Sequence, residues 1–265
     1  MTRRAEIRLP TDATTLYALD QGEGPPLLFF HGGLADHRAA LLHVGGLCDR
    51  LRVITPDLRG AGQSRWAGPL SWRCLADDAR ALALHLGLPR VVVGGVSMGS
   101  AVALRLALSH PDIVSGLVLV HPVYPGAAQG LAPAPRAAMT ALDMVGRRAP
   151  AEGVSVLYPL FDALPEAIRG RARAMVDSFD PESVAATTRF LASEAQPFDT
   201  LDELAGVRCP SLVVPGVDPS HPAEVATLLA AHLPDAALVE TGALSEALVR
   251  FCGARHPPQG LRSAT

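Results

Sequence analysis

Short runs that are apolar on both faces alternate along this chain with segments whose apolar positions recur at helical spacing. Residues 27–30, 52–56, 91–93, 114–120, 211–215 and 236–240 predict six strands. Strands that are apolar on both sides belong to a parallel sheet covered by helices, since a half-exposed strand would alternate apolar with polar positions. Helical patterns fall at 75–86, stopped by Gly87, at 99–109, which ends before Pro111, and at 223–233, where Pro222 suits the first helical position. A final helix is expected over 244–251. The alternation predicts an α/β chain with a mostly parallel, doubly wound sheet. Residues 122–206 break the rhythm: helical segments near 136–147, 165–178 and 181–194 follow one another with no strand between them. We read 1–121 and 207–265 as the core domain and 122–206 as a helical lid inserted over the carboxyl edge of the sheet, where such folds bind ligands.

Composition narrows the chemistry. The chain has 265 residues, which fits one α/β domain with an insertion. It contains no lysine and no asparagine, which excludes a Schiff-base lysine, a Walker-A lysine and an Asn oxyanion donor. We read that absence as a bias of coding composition rather than a functional signal. Nine histidines remain, so proton transfer near neutral pH is sought among them and the carboxylates. The net charge of −3 gives no reason to expect a nucleic-acid or anionic-membrane partner. Cys48, Cys74, Cys209 and Cys252 are scattered and form no CxxC pair, so free thiols are expected and no metal site or disulfide framework. The N-terminal Met1-Thr2-Arg3-Arg4 is followed by no apolar leader, and no run is long enough to span a membrane. The expectation is a cytoplasmic protein that takes a small-molecule substrate and needs no cofactor.

Three motifs carry chemistry. Gly95-Val96-Ser97-Met98-Gly99 matches G-x-S-x-G between a buried strand and a helix. Small residues at 95 and 99 permit a tight strand-to-helix turn, which presents the Ser97 hydroxyl beyond the sheet and turns the Met98 N–H toward any oxyanion formed there. His31-Gly32-Gly33-Leu34 ends an earlier strand; the Gly33 N–H reads as a second oxyanion donor, and His31 as a buried, hydrogen-bonded structural residue rather than a base. Asp57-Leu58-Arg59-Gly60-Ala61-Gly62 reads as a structural loop in which Asp57 and Arg59 can pair.

In this order and spacing the motifs resemble the α/β-hydrolase superfamily, in its branch of small cap-bearing members. The resemblance covers nearly the whole chain. It implies an eight-stranded, mostly parallel sheet, Ser97 as nucleophile, a helical lid, and an acid after the first strand beyond the lid. Asp218, in Gly216-Val217-Asp218-Pro219-Ser220-His221-Pro222, stands where that acid belongs. The other reading makes Asp218 a cap for the helix that begins near Pro222.

The family's histidine should follow the last strand, but Thr241-Gly242-Ala243-Leu244-Ser245-Glu246 contains none. A serine hydroxyl needs a neighbouring base to become a good nucleophile. His121, on the same rim as Ser97, His221, three residues beyond Asp218, His256, beyond the last helix, and His37 are the alternatives, and a site with no base is another. Three functions stay open: a serine hydrolase of a small ester, thioester or lactone; a non-hydrolytic cyclase, lyase or isomerase of a natural-product pathway that moves protons with His121 or Asp218; and a ligand-binding protein without catalysis. Leu131, Met139, Leu142, Met144, Leu157, Tyr158, Leu160 and Phe161 give the lid an apolar character, more as lid packing than as substrate contacts.

Overall fold

The computed structural model describes residues 4–11 and 13–256. The extreme N-terminus, Met1-Thr2-Arg3, and the Pro-rich tail after His256 lie outside the described residues. Eight strands form one sheet: β1 (Arg4–Pro10), β2 (Thr15–Gln21), β3 (Pro26–Phe30), β4 (Arg52–Pro56), β5 (Val91–Val96), β6 (Val114–Val120), β7 (Ser211–Val214) and β8 (Ala236–Leu238). Their order is β1-β2-β4-β3-β5-β6-β7-β8. The pairs β1–β2 and β2–β4 are antiparallel and the others parallel.

The apolar runs of the sequence locate β3 to β8. β1 and β2 were not among the predicted strands, for a physical reason. β1 places Arg4, Glu6 and Arg8 at its exposed positions, a charged edge that discourages pairing with other chains. β2 carries Asp20 in its interior, fully buried, with its carboxylate accepting from Arg52 Nε at 3.0 Å and Nη2 at 2.9 Å.

The helices are α1 (His37–Val44), α2 (Trp72–His85), α3 (Met98–Ser109), α4 (Pro133–Gly146), α5 (Ala149–Glu152), α6 (Glu166–Val176), α7 (Pro181–Ala192), α8 (Ala223–His232) and α9 (Leu244–Arg255). They build a core on each face of the sheet. Leu28 and Phe30 of β3 point into one core with α2, α3 and α8; Leu27 and Phe29 point into the other with α1 and α9. This is the two-residue period of a strand read from both sides. Between β6 and β7 lie α4 to α7 and a 3₁₀ segment, Val154–Phe161, with a small apolar cluster of their own around Leu157, Val176 and Val184. Among the described residues no helix is long and apolar enough to cross a membrane.

Three local expectations are corrected. α2 starts at Trp72 rather than 75, because Ser71 caps it by accepting from the Cys74 N–H. Pro222 is the cap residue of α8, not its first helical residue. Arg59 does not pair with Asp57: its Nε and Nη2 donate to the Asp78 carboxylate of α2 at 2.7 and 2.6 Å. Asp57 instead accepts from the His37 N–H at 2.8 Å, from His37 Nδ1 at 2.7 Å and from the Gln63 N–H at 2.7 Å.

The Asp57 carboxylate is fully buried and ties the start of α1 to the loop after β4. Burial alone would raise its pKa, but the His37 hydrogen bond and charge and the Gln63 N–H together outweigh it and hold the group below the usual carboxylate range. A depressed pKa contributes stability above the ordinary carboxylate range, and that stability is lost as pH falls through the folded value. Asp57→Ala should lower the unfolding free energy by roughly 3–5 kcal/mol at neutral pH, the cost of breaking a buried pair. Urea titrations at neutral and acidic pH check this, and the gap between wild type and variant should narrow in acid.

Candidate active site

The site forms where β3, β5, β6 and β7 end. β5 delivers Gly95-Val96-Ser97, and α3 begins at the next residue. This turn requires glycine on both sides. A Cβ on Gly95 would meet the Gly99 carbonyl carbon at 2.5 Å and the Phe30 oxygen at 2.8 Å; one on Gly99 would meet the Phe30 and His31 oxygens at 2.5 and 2.6 Å. The helix start therefore sits against the backbone of β3. Ser97 takes φ +54° and ψ −115°, a conformation that side-chain-bearing residues rarely adopt, and its N–H donates to the Val120 carbonyl at 2.9 Å. Met98 opens α3, so its N–H lies in the first turn, where no intrahelical carbonyl is available to accept from it.

The loop after β3 lies alongside. A Cβ on Gly32 would stand 3.7 Å from that of Ser97, so this backbone is close to the serine. Gly33 is packed under Leu191 of α7, whose Cδ1 a Cβ would meet at 2.8 Å. His31 is buried with both ring nitrogens engaged: Nδ1 donates to the Gly32 carbonyl at 2.7 Å, and Nε2 accepts from the Leu58 N–H at 3.0 Å. Burial pushes its pKa down, so it stays neutral and braces the loop.

Beyond β7, Asp218-Pro219-Ser220-His221 forms a β-turn, closed by the His221 N–H donating to the Asp218 carbonyl at 3.0 Å. Asp at the first position and Pro at the second are residues such a turn favours. The Asp218 carboxylate accepts from the Ser220 N–H at 2.8 Å and the His221 N–H at 3.1 Å. The same carboxylate holds His221 Nδ1, at 3.0 Å to Oδ2 and 3.1 Å to Oδ1. Nδ1 thus carries the ring proton and Nε2 presents its lone pair. That lone pair faces the Ser97 hydroxyl, with Nε2 3.1 Å from Oγ. Asp218 is half exposed; its partial burial raises its pKa, but the His221 hydrogen bond and charge with the two N–H groups outweigh this and keep it below the usual range.

Of the predicted site residues, the structure brings Ser97, His221 and Asp218 into one hydrogen-bonded line, with Met98 and Gly33 beside it. Asp218 does not cap α8, because its oxygens are taken within its own turn. His121 stands apart from that line. It has φ +48°, its N–H donates to the Val214 carbonyl at 2.9 Å, and its ring centre lies 6.1 Å from that of His221. Its Nε2 is buried and has no partner. Burial first, and the neighbouring His221 second, push its pKa down. His37 belongs to Asp57. His256 packs near the other end of β5, 3.2 Å from the Arg90 carbonyl. Among the described residues one trio, Asp36, His37 and Asp57, brings potential metal-ligand atoms close together; Asp36 is held by Arg38 and Asp57 by His37.

The elbow, the glycine loop and the sheet order together fit one family, and its sequence profile, the alpha/beta hydrolase fold, matches residues 25–239. The chain belongs to the α/β-hydrolase family. It is 36% identical over 115 residues to the AB hydrolase superfamily protein YisY of Bacillus subtilis, covering 42% of each protein. The match thus spans less than half of that relative's length. It is 32% identical over 201 residues to the magnesium-chelatase 30 kDa subunit of Rhodobacter capsulatus, covering 65% of this chain and 70% of that one. A thermophilic esterase from Thermogutta terrifontis superposes with a TM-score of 0.71 at 28% identity, over 96% of this chain and 97% of its own.

The serine opens into a cavity of about 570 Å³. Val96, Val123, Met139, Leu142, Leu160 and Leu191 supply apolar wall, and among the described residues no arginine or carboxylate lines it. Of the apolar lid residues singled out in the sequence, Met139, Leu142 and Leu160 reach this cavity. Leu131 and Leu157 are buried in packing, and Met144 is exposed. Two polar lining residues escaped the sequence reading, His43 and Tyr124. Neither sits in a recognisable motif, and only the fold turns them toward Ser97.

The turn that carries His221 leaves no room beneath it. A Cβ on Gly216 would approach the His221 Cβ at 2.6 Å and its carbonyl carbon at 2.7 Å, with the carbonyl oxygen closer still. Gly216→Ala should push the imidazole off the Ser97 hydroxyl and slow labelling of Ser97 by a fluorophosphonate by roughly 100-fold, the cost of a displacement of about 1 Å in a reacting group. Labelling rates compared at matched far-UV circular dichroism check this.

Proposed function

We propose that this α/β-hydrolase is a serine hydrolase that cleaves an uncharged, mostly apolar ester, thioester or lactone. The observation that carries the reading is the relay of Asp218, His221 Nδ1, His221 Nε2 and Ser97 Oγ, whose hydrogen bonds are 3.0 and 3.1 Å long. It supplies what a serine nucleophile needs, an acceptor for its proton held in the correct tautomer. The base comes from the turn after β7, so the lack of a histidine after β8 no longer implies an incomplete triad.

Each step follows from this geometry. Ser97 Oγ attacks the carbonyl carbon as its proton passes to His221 Nε2. The imidazolium so formed faces the Asp218 carboxylate, which stabilises it. Negative charge gathers on the former carbonyl oxygen, and the N–H groups of Met98 and Gly33 stabilise it without reorganisation. Collapse of the tetrahedral intermediate expels the alcohol or thiol, which takes the proton from Nε2 and leaves an acyl-serine. Water then repeats the sequence: its proton goes to Nε2, the acid departs, and Ser97 recovers its proton.

Among the described residues no arginine lines the cavity, which supports an uncharged acyl group, because a buried carboxylate there would find no permanent cation to pair with. The esterase from Thermogutta terrifontis is consistent with ester chemistry on this scaffold. The non-hydrolytic reading drew its support from a missing base and relied on His121 or Asp218; His121 makes no hydrogen bond to the serine, and Asp218 is engaged by His221. The binding-protein reading has no use for a relay aimed at a strained serine.

Ser97→Ala should abolish both fluorophosphonate labelling and hydrolysis of p-nitrophenyl esters. His221→Ala should lower kcat by roughly 10⁴-fold or more, as loss of a triad base does elsewhere. Asp218→Ala should cost roughly 10²- to 10⁴-fold. His121→Ala should keep most of the activity. Turnover that survives Ser97→Ala but not His121→Ala would refute the serine mechanism and restore the non-hydrolytic one.

A further inference from the structure

Tyr124 is 2% exposed and lines the same cavity as Ser97. Among the described residues the one hydrogen-bond acceptor its hydroxyl finds is the Met139 sulfur, at 3.9 Å. A thioether is a weak acceptor, and a buried phenol normally finds an oxygen or nitrogen partner. Met139 lines the cavity too, so the hydroxyl and the sulfur beside it belong to residues that sit where the core meets the cavity wall. Burial pushes the phenol pKa up, so the group is a neutral donor.

The ring is also held rigidly. Its edge packs on Trp72 with ring centres 4.7 Å apart, and Trp72 packs edge-on against Phe190 at 4.9 Å. Trp72 is itself pinned by its Nε1–H donating to the Ala195 carbonyl at 2.9 Å. A donor fixed this firmly, in a cavity whose other walls are mostly apolar, discriminates between ligands that offer it an acceptor and ligands that do not.

We infer that the Tyr124 hydroxyl is a specificity contact: it donates to an oxygen carried on the acyl chain, so the preferred substrate has an ether, keto or hydroxyl oxygen within an otherwise apolar acyl group. This deepens the serine-hydrolase reading and rests on it. The acyl group stays tethered to Ser97 between the two half-reactions, so the walls of the cavity are its surroundings for longest.

The test compares p-nitrophenyl hexanoate with isosteric esters in which one methylene beyond the third carbon is replaced by an ether oxygen. The ratio of their kcat/KM values is measured for wild type and Tyr124→Phe. Because it is a ratio within one protein sample, a partly unfolded variant does not distort it. At least one ether ester should be favoured by wild type, and that preference should fall about tenfold in Tyr124→Phe, the worth of one hydrogen bond. No preference in wild type, or the same preference in the variant, overturns the inference while leaving the hydrolase reading intact. Failure of wild type to cleave any of the esters, with Ser97 unlabelled by a fluorophosphonate, overturns the hydrolase reading and this inference with it.

Discussion

The close approach of α3 to β3 is the constraint on which the rest of the site depends. Gly95 and Gly99 have no side chains where the carbonyls of Phe30 and His31 come within 2.5 to 2.8 Å of the space a Cβ would fill. Only because that contact is backbone against backbone can the chain leave β5 and enter a helix within one residue. Ser97 bears the cost in its own dihedrals, and the surrounding structure holds it there: its N–H is bound by Val120, and its carbonyl accepts from the Ser100 hydroxyl at 2.6 Å. The same contact brings the loop after β3 beside the serine, so the turn that exposes the hydroxyl also positions the glycine loop.

Much of this was legible in the sequence, and what was not has identifiable causes. β3 to β7 announce themselves by runs apolar on both faces, because parallel strands under helices have no wet side, whereas β8 is apolar but exposed at the sheet edge. β1 and β2 hide because an edge strand is charged by necessity and its neighbour buries an aspartate whose arginine partner lies thirty-two positions away. The same limit applies to Arg59. In sequence its natural partner is Asp57, two residues off, yet the partner it takes, Asp78, sits nineteen positions away on a helix brought over by the fold. Pairings across elements are three-dimensional facts with no local signature.

The proposed base, His221, is the reverse case. Asp218-Pro219-Ser220-His221 carried its geometry in the open. Proline at the second position and aspartate at the first favour a turn closed between the first and fourth residues, and that turn puts the two side chains next to each other. The family resemblance points instead to the position after β8, where this chain has no histidine. A resemblance transfers roles to positions, whereas chemistry asks only for an acceptor within reach of the serine.

In the proposed mechanism acid and base come from one short turn, which changes what the acid can contribute. Asp218 is 48% exposed on its side chain, so water screens its charge, and its Coulombic support for an imidazolium is much weaker than a buried carboxylate's would be. Orientation is not screened. The hydrogen bond to Nδ1 fixes the tautomer and the ring plane whatever the dielectric, and the turn's own backbone bonds hold the carboxylate in place without help from the rest of the fold. In the proposed mechanism the aspartate therefore acts chiefly by holding the imidazole rather than by charge. On that account an uncharged hydrogen-bond acceptor at 218 retains more function than it would in a site whose acid is buried.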